Sequence, residues 1–397
     1  MPYFATRRGL RPARRRRTAA VFTAVLAMLA AGACSAPQQD EQSSAAKRTV
    51  TDVLGRKVDI PVPAKRILLD GARVLYTTAL LNKQDPLQGI VGLPNDLEQN
   101  DPDSLQQYRK KFPGIDRIQR TGQVYDGSFS IEAAIRLHPD VFVLSAANYQ
   151  AAQDAGIVDR LARVGVPTVV LDYFQDPIKN TAASVRLMGT ILGRTAEADA
   201  FASYYQAAID RVRSTLAAAH EPPTPTFLWR APGYFECCSS FAKSNLAKVV
   251  QFAGGANLAD DVLKTPQGAI SPETILSRNP DVIIATGADW APGTPASPGT
   301  FVPLGYRENA AAAAAQLKSI VQKQAGFPQL KAVREHRTYA AWHHFYDSPY
   351  NFLAVEWFAK WLHPELFRDV DPDATIRELH TKFLPIPYQG TFWTELR

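Results

Sequence analysis

The densest cluster of metal-binding and hydrogen-bonding side chains is Trp342-His343-His344-Phe345-Tyr346, with two imidazoles and a phenol within four residues. Such a run can offer an axial nitrogen or oxygen to a metal that a chelator already holds. It can equally be a core aromatic cluster whose histidines are satisfied by protein partners. It begins at the end of a strand candidate, Thr338 to Trp342, and continued alternation would send His343 and His344 to opposite faces, leaving at most one of them in a cavity. Arg73 follows a strand candidate and Arg230 ends one, and each binds either a ligand or a surface carboxylate. Tyr125, Trp229, Tyr234 and Tyr346 sit at comparable places, although Tyr125-Asp126 also reads as a plain turn. Rings stack on flat or hydrophobic groups, and guanidinium groups pair with carboxylate or phosphate-like oxygens. This set suits a flat or hydrophobic chelate bearing negative charge, and suits a small sugar less well. A bare zinc or manganese ion would need three or four converging His, Asp or Glu ligands. The chain has 7 histidines, and its first half adds little beyond His138 in a Pro-Asp turn, so bare-ion capture is not expected.

These side chains need elements to hold them. About 350 residues follow the N-terminal segment, too many for one ordinary core, so two domains are expected. Ser130-Ile-Glu-Ala-Ala-Ile-Arg-Leu-His-Pro139-Asp140-Val-Phe-Val-Leu recurs 141 residues later as Ser271-Pro-Glu-Thr-Ile-Leu-Ser-Arg-Asn-Pro280-Asp281-Val-Ile-Ile-Ala. Each copy predicts a Ser-capped helix, a Pro-Asp turn and a short buried strand. Further strand candidates are Arg66 to Asp70, Gly89 to Gly92, Thr168 to Asp172 and Thr226 to Arg230, with helical patterns between them. The expected fold class is α/β, with two Rossmann-like lobes of mostly parallel sheet, residues 50–176 and 222–397. Between them, residues 177–221 have almost no strand character. Asp176-Pro177 opens a first helix, Gly193 ends it, and a second runs from Thr195 to about Ala219 before Glu221-Pro222-Pro223. That second helix would be about 37 Å long, a rigid spine joining the lobes. Ligands of open α/β sheets sit outside the carboxyl ends of the strands, which places a cleft between the lobes and the candidate residues in it.

The first 33 residues address the compartment. Seven arginines and no acidic residue precede an apolar run from Ala19 to Ala33, too short to span a bilayer and matching the core of a signal peptide. Ala31-Gly32-Ala33-Cys34 resembles a lipobox, which makes Cys34 the lipidation site and residues 34–49 a flexible polar tether. Arg7-Arg8 and the Arg14 to Arg17 run also permit export by the twin-arginine route, a weak match because of Gly9 and the dense surrounding charge. The chain carries +6, so removing the seven-arginine leader leaves about −1 and no basis for nucleic-acid binding. Of 3 cysteines the other two are Cys237-Cys238, open to reading as thiols, a vicinal disulfide or a soft-metal contact.

Four segments in order carry a family likeness: Thr51-Asp-Val-Leu-Gly-Arg-Lys-Val, Leu137-His-Pro-Asp-Val, Phe252-Ala-Gly-Gly-Ala-Asn-Leu-Ala259 and Asn279-Pro-Asp-Val-Ile-Ile. The chain resembles the iron-siderophore, haem and cobalamin class of periplasmic binding proteins from about Val50 to Phe383. The resemblance implies an extracytoplasmic, lipid-anchored, monomeric receptor that delivers an iron-siderophore or similar metal chelate to an ABC permease driven by its ATPase. Haem, cobalamin, a nickel chelate or an oxyanion such as molybdate are alternative cargoes. It implies no intrinsic cofactor beyond the transported iron chelate. The sequence contains no Gly-x-x-x-x-Gly-Lys-[Ser/Thr] loop, no Gly-x-Ser-x-Gly elbow and no His-Glu-x-x-His, so an ATPase or a hydrolytic enzyme is not expected.

Overall fold

The computed structural model describes residues 46–290 and 300–397. The expected leader, the lipidation site Cys34 and the tether up to Ala45 lie outside the described residues. Strand structure starts at Lys47, ahead of the expected lobe boundary at Val50, because β1 (Lys47–Thr51) pairs antiparallel with β2 (Lys57–Pro61). The turn between them explains the Asp-Val-Leu-Gly-Arg segment. The Asp52 carboxylate accepts the N–H groups of Leu54 and Arg56 and pairs with the Arg56 guanidinium, while Gly55 takes a left-handed conformation. The same turn docks on the first lobe through Val53 N–H to the Val170 carbonyl.

The first lobe is built on β3 (Ile67–Leu69), β4 (Ile90–Leu93), β5 (Gln119–Arg120), β6 (Val141–Ser145) and β7 (Thr168–Leu171), all parallel in the order β5-β4-β3-β6-β7. The second lobe contains β8 (Thr224–Trp229), β9 (Ser239–Phe241), β10 (Gly255–Asn257), β11 (Gln267–Ala269), β12 (Val282–Gly287), β13 (Thr338–Trp342) and β14 (Trp393–Glu395). Five of these form a sheet in the order β10-β8-β12-β13-β14, with only β14 antiparallel, and β9 and β11 make a small ribbon. In both sheets the chain goes outward from a central strand and then returns to its other side. The reversal falls between β3 and β6 in one lobe and between β8 and β12 in the other, and such switch points open a crevice at the strand C-termini.

The two repeated segments fold as twins. Ser130 Oγ accepts from Ala133 N–H at 3.2 Å and Ser271 Oγ from Thr274 N–H at 3.2 Å, capping the helices Ile131–Arg136 and Pro272–Arg278. His138 and Asn279 close both turns with φ of 43°, and β6 and β12 follow as the buried strands on the returning side of each switch point.

The spine is present as two helices, Pro177–Leu192 and Thr195–Ala219, the second 25 residues long. Asp176 caps the first by accepting from Lys179 N–H, and Gly193 ends it in a left-handed conformation. Gly189 lets the pair pack closely, since a Cβ there would stand 2.3 Å from that of Ala198. The long helix buries Ala198, Phe201, Ala202, Tyr205, Ile209 and Val212, a stripe at helical spacing. It packs on Asn351–Leu362, a helix buried almost all round. Among the described residues no helix is long and apolar enough to cross a membrane.

Candidate functional site

A cavity of about 520 Å³ lies where the two switch points face each other. From the first lobe, the turn after β3 supplies Asp70 and Arg73, and the turn after β6 supplies Ser145 and Asn148. From the second, the turn after β8 supplies Arg230, Tyr234 and Phe235, the segment after β12 supplies Trp290, and that after β13 supplies His343, His344, Tyr346 and Asp347.

Arg73 reaches across the cleft. Its Nη1 is 3.3 Å from Asp347 Oδ2 in the other lobe and 3.9 Å from Asp96 Oδ2 in its own, and its guanidinium carbon lies 5.0 Å from the Tyr346 ring centroid. Arg230 is held by rings, 4.1 Å from the Phe235 centroid and 4.9 Å from that of Phe241. Among the described residues it pairs with no carboxylate, and the Nε atoms of both arginines are buried without a partner. The carboxyl groups near Arg73 are shifted upward by burial, opposed by that guanidinium for Asp96 and Asp347. The cavity therefore carries an uncompensated cation on the second-lobe side.

Asp70 is a different case. Its Oδ2 accepts from Asn148 Nδ2 at 2.8 Å and from Ser145 N–H at 3.3 Å, whereas Oδ1 is buried with no partner among the described residues. Burial pushes its carboxyl up to about 7, so near neutrality it is partly protonated and can donate as well as accept.

The sequence profile described as periplasmic binding protein matches residues 94–341. The chain belongs to this family. The TroA-like periplasmic binding protein FepB of Veillonella parvula superposes with a TM-score of 0.80 at 26% identity, over 88% of this chain and 99% of that one. The molybdate periplasmic binding protein MolA of Haemophilus influenzae, solved with molybdate, shares the fold with a TM-score of 0.63 at 18% identity, over 86% of this chain and 99% of that one. CeuE of Helicobacter pylori, solved as a Ni-His complex, does so with a TM-score of 0.61 at 16% identity, over 86% and 96%. No curated protein sequence gives a significant match. Family members serve ABC importers outside the cytoplasm by handing a bound solute to a permease and its ATPase, and the family is one of transport proteins.

In this periplasmic binding protein seven of the eight residues expected in the cleft line the cavity: Arg73, Tyr125, Arg230, Tyr234, His343, His344 and Tyr346. Trp229 does not. It shares one face of β8 with Phe227, on which it stacks, and there it is 2% exposed and packs edge-on against Phe327 at 5.1 Å. The strand is buried on both faces, so its last residue points into the core and the next one, Arg230, into the cavity. Tyr125 stands on the rim, 72% exposed, while Asp126 makes the turn by accepting from Ser128 N–H.

The expectation that only one of the adjacent histidines faces the cavity is overturned. β13 stops at Trp342, and His343–Asp347 coils into a 3-10 helix. With about three residues per turn, neighbours diverge by roughly 120° instead of 180°, and both imidazoles reach the lining. Burial and the nearby arginines hold both well below the ordinary imidazole value, so they are neutral. Cys237 and Cys238 are joined as a vicinal disulfide. Among the described residues no three His, Cys, Asp or Glu side chains converge on a point that could hold a metal ion.

Asp70, Asn148, Phe174 and Trp290 were within reach of sequence reasoning, because all four lie in strand-end segments. Asp96 and Asn100, the two ends of a short helix, and Gln267, the first residue of β11, had no local signal.

Asp70 gives a sign-defined pH test. Its folded-state value, about 7, lies above the ordinary 3.8, so its stabilising contribution is complete below about 3.8 and is lost as pH rises through about 7. Asp70→Asn keeps the neutral form. The variant is expected to gain stability over the parent by a few kcal/mol between pH 5 and pH 8 in urea unfolding; an equal pH dependence for both proteins would refute the assignment.

Proposed function

We propose that the protein is the lipid-anchored receptor of an ABC importer for an iron-siderophore or similar metal chelate carrying negative charge, captured between the lobes and handed to the permease. The observation that carries this reading is the pair of half-buried guanidinium groups, Arg73 from one lobe and Arg230 from the other, in the lining of one ring-lined cavity, with Arg230 paired to no carboxylate among the described residues. A guanidinium charge that no protein carboxylate balances is strongly favoured by an anionic oxygen placed beside it in the cavity. A volume near 520 Å³ falls in the range for a compact organic ligand and exceeds the needs of a bare ion. The aromatic set Phe174, Tyr234, Phe235, Trp290 and Tyr346 supplies stacking surface for the chelator. The Ala31-Gly32-Ala33-Cys34 segment supports anchoring through a diacylglyceryl group on Cys34.

Native mass spectrometry of protein purified without denaturation, with metal analysis of the same sample, tests both parts. A chain beginning at Cys34 with a diacylglyceryl increment is expected, together with a non-covalent adduct accompanied by iron. Trp290 lies in the lining, so titration with a ferric hydroxamate is expected to quench tryptophan fluorescence in the parent and to quench it less in Trp290→Phe. An empty protein that responds to no ferric chelate, haem or cobalamin would remove the chelate reading; a response to molybdate alone would move the cargo to an oxyanion.

A further inference from the structure

The proton on His343 is placed by a hydroxyl behind it. Thr286, near the end of β12, is 0% exposed, and its Oγ1 has two neighbours: it accepts from Ala231 N–H at 2.9 Å and lies 2.8 Å from His343 Nδ1. If Nδ1 carried the proton, the Thr286 oxygen would accept twice. Its own hydrogen would then face no acceptor among the described residues, an unsatisfied buried donor costing about 1–3 kcal/mol. A doubly protonated ring creates the same orphan and adds a buried charge beside Arg73 and Arg230. Only one arrangement satisfies every group behind the ring: Ala231 N–H donates to Thr286 Oγ1, the Thr286 hydroxyl donates to Nδ1, and the single imidazole proton is left to Nε2 on the cavity side. The ring lines the cavity, and its one hydrogen bond among the described residues is the one at Nδ1.

We infer that His343 is a hydrogen-bond donor to an oxygen of the bound chelate and not a ligand of its metal. The Nδ1 lone pair is engaged by Thr286, and Nε2 has no lone pair to give while it holds the proton. Moving the proton to Nδ1 would break the Thr286 bond and strand the hydroxyl. The inference rests on the chelate reading of the cavity and narrows it to a cargo class. The cargo is a complex that takes no ligand from this ring and turns a carbonyl or anionic oxygen toward His343. Arg230 precedes the Ala231 N–H that orients Thr286, so one turn after β8 sets both the guanidinium and the imidazole donor.

The first test needs no ligand. Long-range proton–nitrogen correlation of histidine-labelled protein near pH 7 is expected to show His343 Nδ1 as the unprotonated, pyridine-like nitrogen and Nε2 as the protonated one, in the parent and in Thr286→Ser. Thr286→Val is expected to lose that preference. A protonated Nδ1 in the parent overturns the inference whatever the cargo. The second test compares a hexadentate ferric tris-hydroxamate with a tetradentate ferric bis-hydroxamate that leaves coordination positions open. His343→Gln, which keeps an amide donor, is expected to bind the hexadentate chelate within about threefold of the parent, and His343→Leu to lose about tenfold or more. The charge-transfer absorption of the chelate is expected to be unchanged on binding. A preference for the tetradentate chelate with a displaced charge-transfer band, abolished equally in the Gln and Leu variants, would mean direct coordination and overturn the inference. Protein that shows the expected tautomer but binds neither chelate leaves the donor assignment standing and removes the cargo reading instead.

Discussion

Replacing Arg230 with alanine is expected to weaken binding of a ferric chelate by about 30-fold or more while leaving the fold intact. Arg230 is the better of the two arginines for this test because its guanidinium is held by the rings of Phe235 and Phe241 and by no ion pair among the described residues. Truncating one partner of a desolvated, charge-assisted contact costs about 2–5 kcal/mol, since the ligand oxygen left behind has lost its water as well as its partner. Arg73 would give a mixed result, because Asp347 and Asp96 both lean on it and its removal leaves both carboxyl groups without their cation. Calorimetric titration of parent and Arg230→Ala with the adduct identified by mass reads the loss directly. An affinity within about threefold of the parent would mean that the anionic part of the cargo lies elsewhere, and would take with it the observation on which the functional reading stands. Arg230→Lys separates charge from shape: a point charge without the planar fork should recover only part of the affinity.

The second large effect is on stability, at Asn351. This residue, 0% exposed, ties the spine to the second lobe. Its Nδ2 donates to Thr181 Oγ1 at 2.8 Å and to the Ser348 carbonyl at 2.9 Å, and its Oδ1 accepts from the Tyr205 hydroxyl at 2.9 Å. Thr181 and Tyr205 belong to the two spine helices, and Ser348 ends the turn that carries His343 to Asp347. Asn351→Leu keeps the volume but removes a partner from three buried polar groups, at about 1–3 kcal/mol for each one left unsatisfied. Tyr205 retains the Pro177 carbonyl, 3.2 Å away, so the expected total is about 3–5 kcal/mol. Urea unfolding should show the midpoint falling with little change in slope, and Thr181→Val, which removes one contact only, should cost about 1 kcal/mol. A loss below about 1 kcal/mol for Asn351→Leu would mean that the spine is held by its apolar stripe alone.

The two kinds of residue in these predictions differed in how visible they were. Arg230 could be picked out because it stands at the end of the apolar strand run Thr226-Phe-Leu-Trp229, and in an open α/β sheet the residue after the strand is the one presented to the crevice. The same rule named Trp229 one position too early. A strand buried on both faces has no polar alternation to reveal which side a given residue takes, so the rule locates the strand end without resolving the face. His343 and His344 failed for a related reason: extrapolating the strand by one residue assumed a period of two where the chain had already coiled. Asn351 had no signal at all, being one polar residue at the start of an otherwise apolar helical run.

By itself the sequence determined the α/β class, the twin helix-turn-strand units and the two-helix spine. Each rests on signals contained within about 10 to 25 consecutive residues: a serine or aspartate cap, a Pro-Asp turn, a β-branched run, a glycine stop. Their energies are local, and local pattern is enough to read them. Tertiary structure alone decided which charges meet and which protons are held. Arg73 finds Asp347 across a separation of 274 residues, and the tautomer of His343 depends on Thr286, 57 residues away, which is in turn oriented by Ala231. Such contacts owe their strength to burial and to the exclusion of competing water, and neither exists until the two lobes have closed the cavity around them.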